Sequence, residues 1–328
     1  MNIEAFISVN YIVFDLEWNQ CPYGKGHENK KLPFEIIEIG AVKLNNDREI
    51  VDTFHRMIRP KVYKKLHYRT REIVNLTSKD LQNGTPFPIA VKEFLTWSGG
   101  DSVFCTWGSV DLTELQRNMK FYGELHMLKG PFHYYDVQKL FAVEFETMKS
   151  RRSLEYGADF LHLEKNKTFH RALSDAWYTA EIFQKIDINV VLAYDSIDSY
   201  QNPKLKTEEI HMVYNGYSKY ISREFPTKEV AMMDAEVKAS YCCLCGRNSR
   251  KKIRWFSASS KNYYCMAVCP VHGYMKGKIR MKHNDDGGLY VVKTIKVSNE
   301  RELEMIRAKK NELREKRRKK RHQMAATS

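Results

Sequence analysis

The stretch Tyr11-Ile12-Val13-Phe14-Asp15-Leu16-Glu17-Trp18 begins as an apolar run and ends with two carboxylates. An apolar run of this length predicts a buried strand. Side chains alternate between the two faces of a strand, so Asp15 and Glu17 are predicted to project together from its end. Such a pair favours a divalent-cation site or acid–base chemistry, and a strand that runs out into solvent is the ordinary alternative.

Composition indicates a globular protein with more than one domain. The chain has 328 residues, of which 43% are hydrophobic and 12% aromatic, enough to bury a full core. The sequence shows neither a signal-peptide pattern nor a membrane-length apolar run, so we expect a cytoplasmic protein with no membrane partner. Five of the seven cysteines lie between Cys242 and Cys269, a crowding that favours metal ligation in a reducing compartment over disulfides.

The positive charge belongs to the C-terminal part of the chain. Residues 241–328 hold 23 Lys and Arg against 7 Asp and Glu, a net charge of +16, and the whole chain carries +14. The first 240 residues therefore carry a net charge of −2. This asymmetry predicts that one part binds an anionic polymer and the other processes it. A membrane-surface or solubility role is the alternative.

A second carboxylate is predicted at a strand-to-helix junction. Apolar segments at 35–44 and 50–58 continue the first strand as a meander, and a further strand at 102–107 is followed by an amphipathic helix. Asp111 stands at that junction, on the rim where open α/β sheets bind ligands. A plain helix-capping role for Asp111 is the alternative.

A third acidic position lies on a helix predicted to begin near Arg171. Alanines at 172, 176 and 180 recur every four residues, so this helix can lie close against the sheet, with Asp175 on the adjoining stripe. Asp175 can then reach the end of the first strand. His170 lies on the entering loop and is predicted to overhang the same site, although an incidental surface histidine has the same pattern.

Together these residues resemble a known family. Asp15 and Glu17, then Asp111, then His170 and Asp175 are similar in order and spacing to the three motifs of the DEDDh 3′→5′ exonucleases, the DnaQ-like group. The resemblance covers residues 11–185 and implies an α/β fold, with a ribonuclease H-like mixed sheet flanked by helices. The first motif and the Trp107-Gly108 approach look most like the KapD and Eri-type branch, whose better-known members trim RNA ends.

The ligand set itself points to phosphodiester hydrolysis. Two hard cations about 4 Å apart can activate water, neutralise the phosphoryl oxygens and stabilise the leaving oxygen. Asp15, Glu17, Asp111 and Asp175 are enough to hold two Mg²⁺ or Mn²⁺ ions, and the resemblance implies that Asp15 bridges them. Histidine titrates near neutral pH, which suits His170 to the role of general base.

Trp18 stands where the proofreading branch of the family usually has Thr. Its indole can stack on a terminal base or simply wedge the site, and both interpretations stay open.

The segment after the exonuclease-like region is predicted to be a helical linker over 191–240. Residues 195–203 have loop composition, and helix-start residues precede two helical segments, 207–220 and 227–239.

The cysteine-rich region predicts a zinc ribbon over 241–298. Cys242-x2-Cys245-Gly and Cys269-x2-His272-Gly are separated by 23 residues, the spacing of a tetrahedral zinc site. Four protein ligands indicate one structural rather than catalytic Zn²⁺. Cys265 is a possible substitute for His272 as the fourth ligand.

The ribbon and the tail are predicted to hold nucleic acid. Arg254 and Trp255 on one arm, with Lys278 and Arg280 on the other, suit a single-stranded backbone with splayed bases. Residues 299–328 predict a basic helix that adds sequence-blind affinity for phosphate, and a solvated tail is the alternative.

The sequence therefore predicts an exonuclease domain over 1–190 that shortens single-stranded RNA from its 3′ end with a two-metal mechanism. A single-stranded DNA exonuclease in repair is the alternative enzyme, and a non-catalytic RNA- or ribosome-binding module is the alternative from another class. The ribosome or structured RNA is a further predicted partner of the basic ribbon and tail.

Overall fold

The computed structural model describes residues 9–146 and 151–326. The chain forms two compact units, residues 1–200 and 201–328. Three parts of the predicted segments 1–190 and 299–328 lie outside the described residues, namely 1–8, 147–150 and 327–328. Among the described residues, no helix is both long and apolar enough to cross a bilayer.

The first unit is built on a six-stranded mixed sheet. Its strands are β1 (Asn10–Gln20), β2 (Phe34–Leu44), β3 (Ile50–Met57), β4 (Ser102–Thr106), β5 (His133–Asp136) and β6 (Ser196–Ile197). The order across the sheet is β3-β2-β1-β4-β5-β6. The first three strands are antiparallel, as the predicted meander requires, whereas β4 runs parallel to β1 and β5 runs parallel to β4.

Helices flank both faces of this sheet, which confirms the predicted mixed α/β fold. They are α1 (Tyr68–Val74), α2 (Ser78–Gln82), α3 (Phe87–Ser98), α4 (Val110–Tyr122), α5 (Val137–Glu144), α6 (Leu154–Phe160), α7 (Ala172–Lys185) and α8 (Ile188–Ala193). One core contains residues of α3 and α4, and the other contains residues of α5, α7 and α8.

Strand β1 decides which face carries the polar residues. Ile12 and Phe14 pack into the core under α3 and α4, and Tyr11 and Val13 pack into the core under α7. Because side chains alternate along a strand, the odd-numbered residues continue the α7 face beyond Val13. The next two odd-numbered residues are the carboxylates of the first motif.

Helix α7 lies unusually close to the sheet because β2 has a glycine beneath it. Gly40 pairs directly with Asp15 across β1 and β2. A Cβ atom built on Gly40 would stand 2.0 Å from the backbone nitrogen of Leu173 and 2.2 Å from the carbonyl carbon of Ala172. Only glycine therefore allows the first turn of α7 to cross β2 beside Asp15.

The second unit is also a six-stranded sheet, with order β7-β8-β12-β11-β10-β9. Its strands are β7 (Ile210–Tyr214), β8 (Tyr217–Phe225), β9 (Arg250–Ser257), β10 (Asn262–Cys269), β11 (Gly273–His283) and β12 (Leu289–Val297), and its helices are α9 (Lys228–Met233), α10 (Ala235–Lys238) and α11 (Glu300–Ala326). Every pairing in this sheet is antiparallel.

The predicted helix over 207–220 is wrong, because this segment forms β7 and the start of β8. Strand β8 pairs with β12, so residues assigned to a linker complete the second sheet. Val213 and the alternating residues around it have strand periodicity, and the helix-start pattern at Thr207 marks only a short 3₁₀ turn, Lys206–Glu208.

The predicted C-terminal helix is present as α11, and its first two turns are part of the second unit. Leu303 and Ile306 are buried against Ile253 and Met266. The ammonium groups of Lys309 and Lys310 lie over the rings of Tyr264 and Phe256, at 4.8 and 6.0 Å. The side chains of Lys320 and Arg321, in the predicted basic run, lie outside the described part.

We expect Gly40→Ala to unfold or displace the first turn of α7, since the new methyl group would overlap backbone atoms that cannot rotate away. Overpacking of this kind destabilises a domain by about 3 kcal/mol. Thermal unfolding measures the effect. Gly26→Ala is the matched control, because a Cβ there meets no atom within 4 Å, and equal stability of the two variants would contradict the close approach.

Candidate active site and metal centre

Two elements bring three carboxylates together at one edge of the first sheet. Asp15 and Glu17 project from β1 on the α7 face, and Asp175 lies in the first turn of α7. One carboxylate oxygen from each of the three lies within 4.8 Å of the others. The structure thus places the predicted residues of the first and third motifs in one cluster.

Asp111 joins this cluster from the other neighbour of β1. Strand β4 runs parallel to β1, so the carboxyl ends of both strands meet at the same edge. Asp111 occupies the first turn of α4 immediately beyond β4 and is only 5% exposed. Its carboxylate raises the pKa of the neighbouring Asp15.

The electrostatics of the cluster favour a bound cation. Burial, with repulsion from Asp111 and Glu17, holds the pKa of Asp15 well above its usual range. Burial, with repulsion from Asp175, raises the pKa of Glu17 to about 8. Burial also raises the pKa of Asp111 to about 7 and that of Asp175 to about 6. Four crowded carboxylates that resist ionisation fit a divalent cation, which favours their charged forms.

His170 is held at the entrance to this cluster by its own backbone. It precedes α7, lies in the left-handed region at φ 63° and is exposed. Its backbone N–H points at Asp175, with the nitrogen 3.2 and 3.3 Å from the two carboxylate oxygens. The preceding loop is fixed by Tyr178, whose hydroxyl donates to the carbonyl of Lys167 and accepts from its N–H, both at 2.9 Å.

Sequence reasoning missed a fifth carboxylate, which lies behind the four of the cluster. Glu38, on β2 directly opposite Glu17, is 1% exposed. Its oxygens accept hydrogen bonds from His55 at 2.7 Å and from Arg171 at 3.0–3.3 Å. Burial acts to raise the pKa of Glu38, but these two partners lower it on balance. The signal in the sequence was a lone Glu inside the otherwise apolar run 36–42.

Arg171 therefore acts as the fixed cation of the site. It is the N-cap residue of α7, and its charge acts to lower the pKa of Glu17 while its guanidinium binds Glu38. The single positive charge of Arg171 does not neutralise the acidic cluster, so the remaining negative charge favours bound metal.

Of the predicted nucleic-acid residues, Trp18 belongs to the first unit and the others belong to the second. Trp18 is half-buried and packs against Phe34, with ring centroids 5.8 Å apart. Trp255 is turned into the second unit, where its indole N–H donates to the carbonyl of Lys238 at 2.9 Å. Arg254 and Arg280 are exposed and Lys278 is half-buried.

A second ligand cluster lies in the second unit. Cys242, Cys245, Cys269 and His272 each offer one ligand atom within 4.8 Å of the others. The Cys245 and Cys269 sulfurs are 3.7 Å apart, and His272 Nδ1 lies 3.6 Å from the Cys242 sulfur. Zinc–sulfur bonds of 2.3 Å in a tetrahedron place sulfurs about 3.8 Å apart, so these four side chains fit a zinc ion.

Cys265 lies away from that cluster. Its thiol is fully buried, is 3.9 Å from the Ser240 hydroxyl and would lie 2.4 Å from a Cβ on Gly277. Burial raises the pKa of the Cys265 thiol to about 11, which disfavours the thiolate that a zinc ligand needs. His272 occupies the fourth position instead.

Comparison with known proteins places the first unit in a family. The family model described as Exonuclease (RNase_T) matches residues 12–183, slightly more than half of the chain. The chain belongs to this exonuclease family. It is a nuclease, so the non-catalytic module is set aside, and the family implies dependence on divalent metal. The predicted resemblance to the DEDDh exonucleases is confirmed.

Similar proteins include exonucleases and polymerases. KapD of Bacillus subtilis (strain 168), a probable 3′-5′ exonuclease, is 28% identical over 185 residues, which are 54% of this chain and 83% of KapD. A PolC-type DNA polymerase III of Thermotoga petrophila is 32% identical over 149 residues, 45% of this chain but only 10% of the polymerase. The solved nuclease domain of 3'hExo, a DEDDh family member bound to rAMP, aligns with a TM-score of 0.46 and 19% identity, covering 56% of this chain and 92% of that one.

We expect the metal-free exonuclease to lose stability as the pH rises. A carboxyl group whose pKa is raised by folding stabilises the native state at low pH, and that contribution is lost as the pH passes through the raised value. Glu17, at about 8, should make the loss visible between about pH 5 and about pH 8, by at least about 1.4 kcal/mol. Denaturant titration in chelator, repeated across this pH range, measures the loss of stability.

Glu17→Gln should flatten this pH dependence and raise stability at the alkaline end. Glu72→Gln, on the exposed side of α1, is the matched control and should behave as the unaltered protein does. Added Mg²⁺ or Mn²⁺ should restore stability most strongly where the carboxylates are ionised. Parallel pH curves for the two variants would contradict the proposed repulsion.

Proposed function

We propose that this exonuclease shortens single-stranded nucleic acid from the 3′ end, with RNA preferred, and that two divalent cations are held by Asp15, Glu17, Asp111 and Asp175. The observation that carries the proposal is the convergence of these four carboxylates on the shared carboxyl-terminal edge of β1 and β4, under α7. The 3′→5′ direction is supported by the similarity to KapD, which is described as a probable 3′-5′ exonuclease.

The carboxylates have distinct positions in this proposal. Asp15 lies beside both Asp111 and Glu17, and burial together with their repulsion raises its pKa, which suits a ligand shared between two cations. Bound divalent cations would neutralise the phosphoryl oxygens and assist attack by water. The family resemblance supports the same assignment.

His170 is the proposed general base. Its backbone bond to Asp175 fixes the residue beside the cluster while the exposed ring stays free to approach a substrate. A base must lie within hydrogen-bond reach of the attacking water. The backbone of His170 lies beside Asp175, and the ring is proposed to reach the water from there. The neutral imidazole accepts the proton from the water as the phosphodiester is attacked.

The second unit is the proposed anchor for the rest of the strand. One structural zinc ion, held by Cys242, Cys245, Cys269 and His272, would tie the loop before β9 to the turn between β10 and β11. The net charge of +16 over 241–328 supports binding to phosphate. Exposed Arg254 and Arg280 are the proposed contacts within the sheet.

End-labelled single-stranded RNA and a DNA of the same sequence test the function. With Mg²⁺ or Mn²⁺ we expect a ladder that shortens from the 3′ end, faster on RNA, and no reaction in chelator. Asp15→Asn should lower kcat by a factor of about 10³ or more, since it removes the ligand shared by both cations.

In the same assay His170→Ala should lower kcat by a factor of about 10² to 10⁴, with little change in KM. If DNA is digested faster than RNA, DNA becomes the proposed substrate. Digestion from the 5′ end, or full activity of Asp15→Asn, would overturn the proposal.

We expect one zinc ion per chain when the purified protein is analysed by atomic emission. Cys269→Ser should lose it, because a thiolate ligand is replaced by a weak hydroxyl ligand. Cys265→Ala is the matched control and should keep one zinc ion, since its thiol contacts Ser240 instead. Retention of zinc in the first variant, or its loss in the second, would contradict the proposed ligand set.

A further inference from the structure

We propose that residues 59–71, the basic segment, bind the phosphates of the substrate strand upstream of the bond that is cut. This inference rests on the proposed exonuclease function and extends it, because it assigns a substrate-binding role to residues outside the acidic site. It is carried by the charge of the basic segment and by the way its backbone is fastened to β1.

The charge of the basic segment is one-sided. It contains six cationic side chains and no acidic residue. All six are exposed: Arg59, Lys61, Lys64, Lys65, Arg69 and Arg71. Within the described ranges 9–146 and 151–326, none of them forms an ion pair, although ion pairs are common elsewhere in the first unit. The sequence around the basic segment is slightly acidic, so the segment gives the first unit a concentrated positive surface.

A buried carboxylate holds the middle of the basic segment in place. Glu35, which is 1% exposed, accepts hydrogen bonds from the backbone N–H groups of Lys61, Val62 and Tyr63 at 2.6–3.1 Å. The hydroxyl of Tyr122 donates to the same carboxylate at 2.6 Å. Glu35 thus uses its charge to fix a turn of backbone, and the lysine side chains at this turn are left to solvent.

A buried amide fastens the same backbone to the catalytic strand. The side-chain amide of Asn19, which has no exposed surface, donates to the carbonyls of Tyr63 and Lys65 at 2.8 and 3.0 Å. Its oxygen accepts from the N–H of His67 at 2.9 Å. Asn19 is two residues beyond Glu17 on β1, a separation of about 7 Å along a strand.

The basic segment is therefore positioned as a fixed continuation of the acidic site. When the 3′ end of a strand is bound at the carboxylates, the rest of the strand must run along the protein surface. Its phosphates need cations once they lie beyond the metal-binding groups. Side chains mounted on a backbone that is already ordered lose less entropy on binding than those of a loose loop. A surface that was merely solvated would not need two buried polar anchors, Glu35 and Asn19.

Replacement of three lysines together tests the inference. Lys61, Lys64 and Lys65 are changed to Gln in the full-length protein, and the control variant changes Lys92, Lys129 and Lys185 to Gln. The control lysines are exposed in the same unit, so both variants lose the same charge. Two substrates are compared, a labelled 20-nucleotide single strand and a nitrophenyl ester of a single nucleotide, which has no upstream phosphate.

We expect the Lys61, Lys64 and Lys65 variant to lose about tenfold or more in kcat/KM on the 20-nucleotide strand, mainly through KM, and to keep its activity on the small ester. Binding of the strand to a version that also carries Asp15→Asn, measured by fluorescence anisotropy, should show a salt dependence whose log–log slope is lower by about 2, since each phosphate contact contributes about 0.7. The control variant should match the parent in all three measurements.

The outcomes separate this inference from the proposed function. A parent protein that cuts both substrates, with a triple variant equal to the control in KM and salt slope, overturns the role of the basic segment and leaves the nuclease function standing. Loss of activity on the small ester in the triple variant also overturns it, because the change would then act on the catalytic groups. A parent protein that cuts neither substrate overturns the proposed function and this inference together.

Discussion

The close crossing of α7 over β2 is the constraint on which the active site depends. Gly40 leaves room for the backbone of Ala172 and Leu173, and it does so directly opposite Asp15. A larger residue would hold the first turn of α7 away from the sheet, and Asp175 with it. The metal-binding geometry is thus set by a missing side chain as much as by the carboxylates themselves.

The site combines unfavourable charges with one local compensation. Four carboxylates crowd one edge of the sheet, and burial raises the pKa of each. Behind them Glu38 is kept ionised by Arg171 and His55, which ties the N-cap of α7 to β2. The ion pair between Glu38 and Arg171 therefore fixes the backbone of the site. The four carboxylates of the cluster are left for bound cations to neutralise.

Much of the first unit could be predicted from sequence because its signals are local. Short stretches of sequence predict the apolar run of β1, the alanines of α7 and the strand-to-helix junction at Asp111. The structure has each of these elements where it was expected. Glu38 could not be assigned, because its partners His55 and Arg171 are brought to it only by strand pairing and helix packing. The position of Trp255 could not be predicted for the same reason, since its contacts with Lys238 and with the core of the second unit arise from tertiary packing.

The second unit was harder because propensity and tertiary pairing conflict there. Residues 207–220 contain good helix-start residues, yet they pair as strands, β7 with β8 and β8 with β12. The ligand spacing of the cysteine cluster was readable because two short knuckles encode it, whereas the exclusion of Cys265 required knowledge of what lies against its sulfur.

The membership of β7 and β8 in the second sheet also determines how this protein can be divided. A fragment that begins at the first cysteine of the cluster would lack β8. The edge of β12 that pairs with β8 would then be open to other molecules, while β11 would still pair with its other edge. The fragment would also uncover Leu289 and Val291, which Ala231 and Val237 help to shield. Exposed edges of this kind recruit further strands and lead to aggregation. A soluble recombinant version of the C-terminal part should therefore start near Gln201, at the boundary between the two compact units.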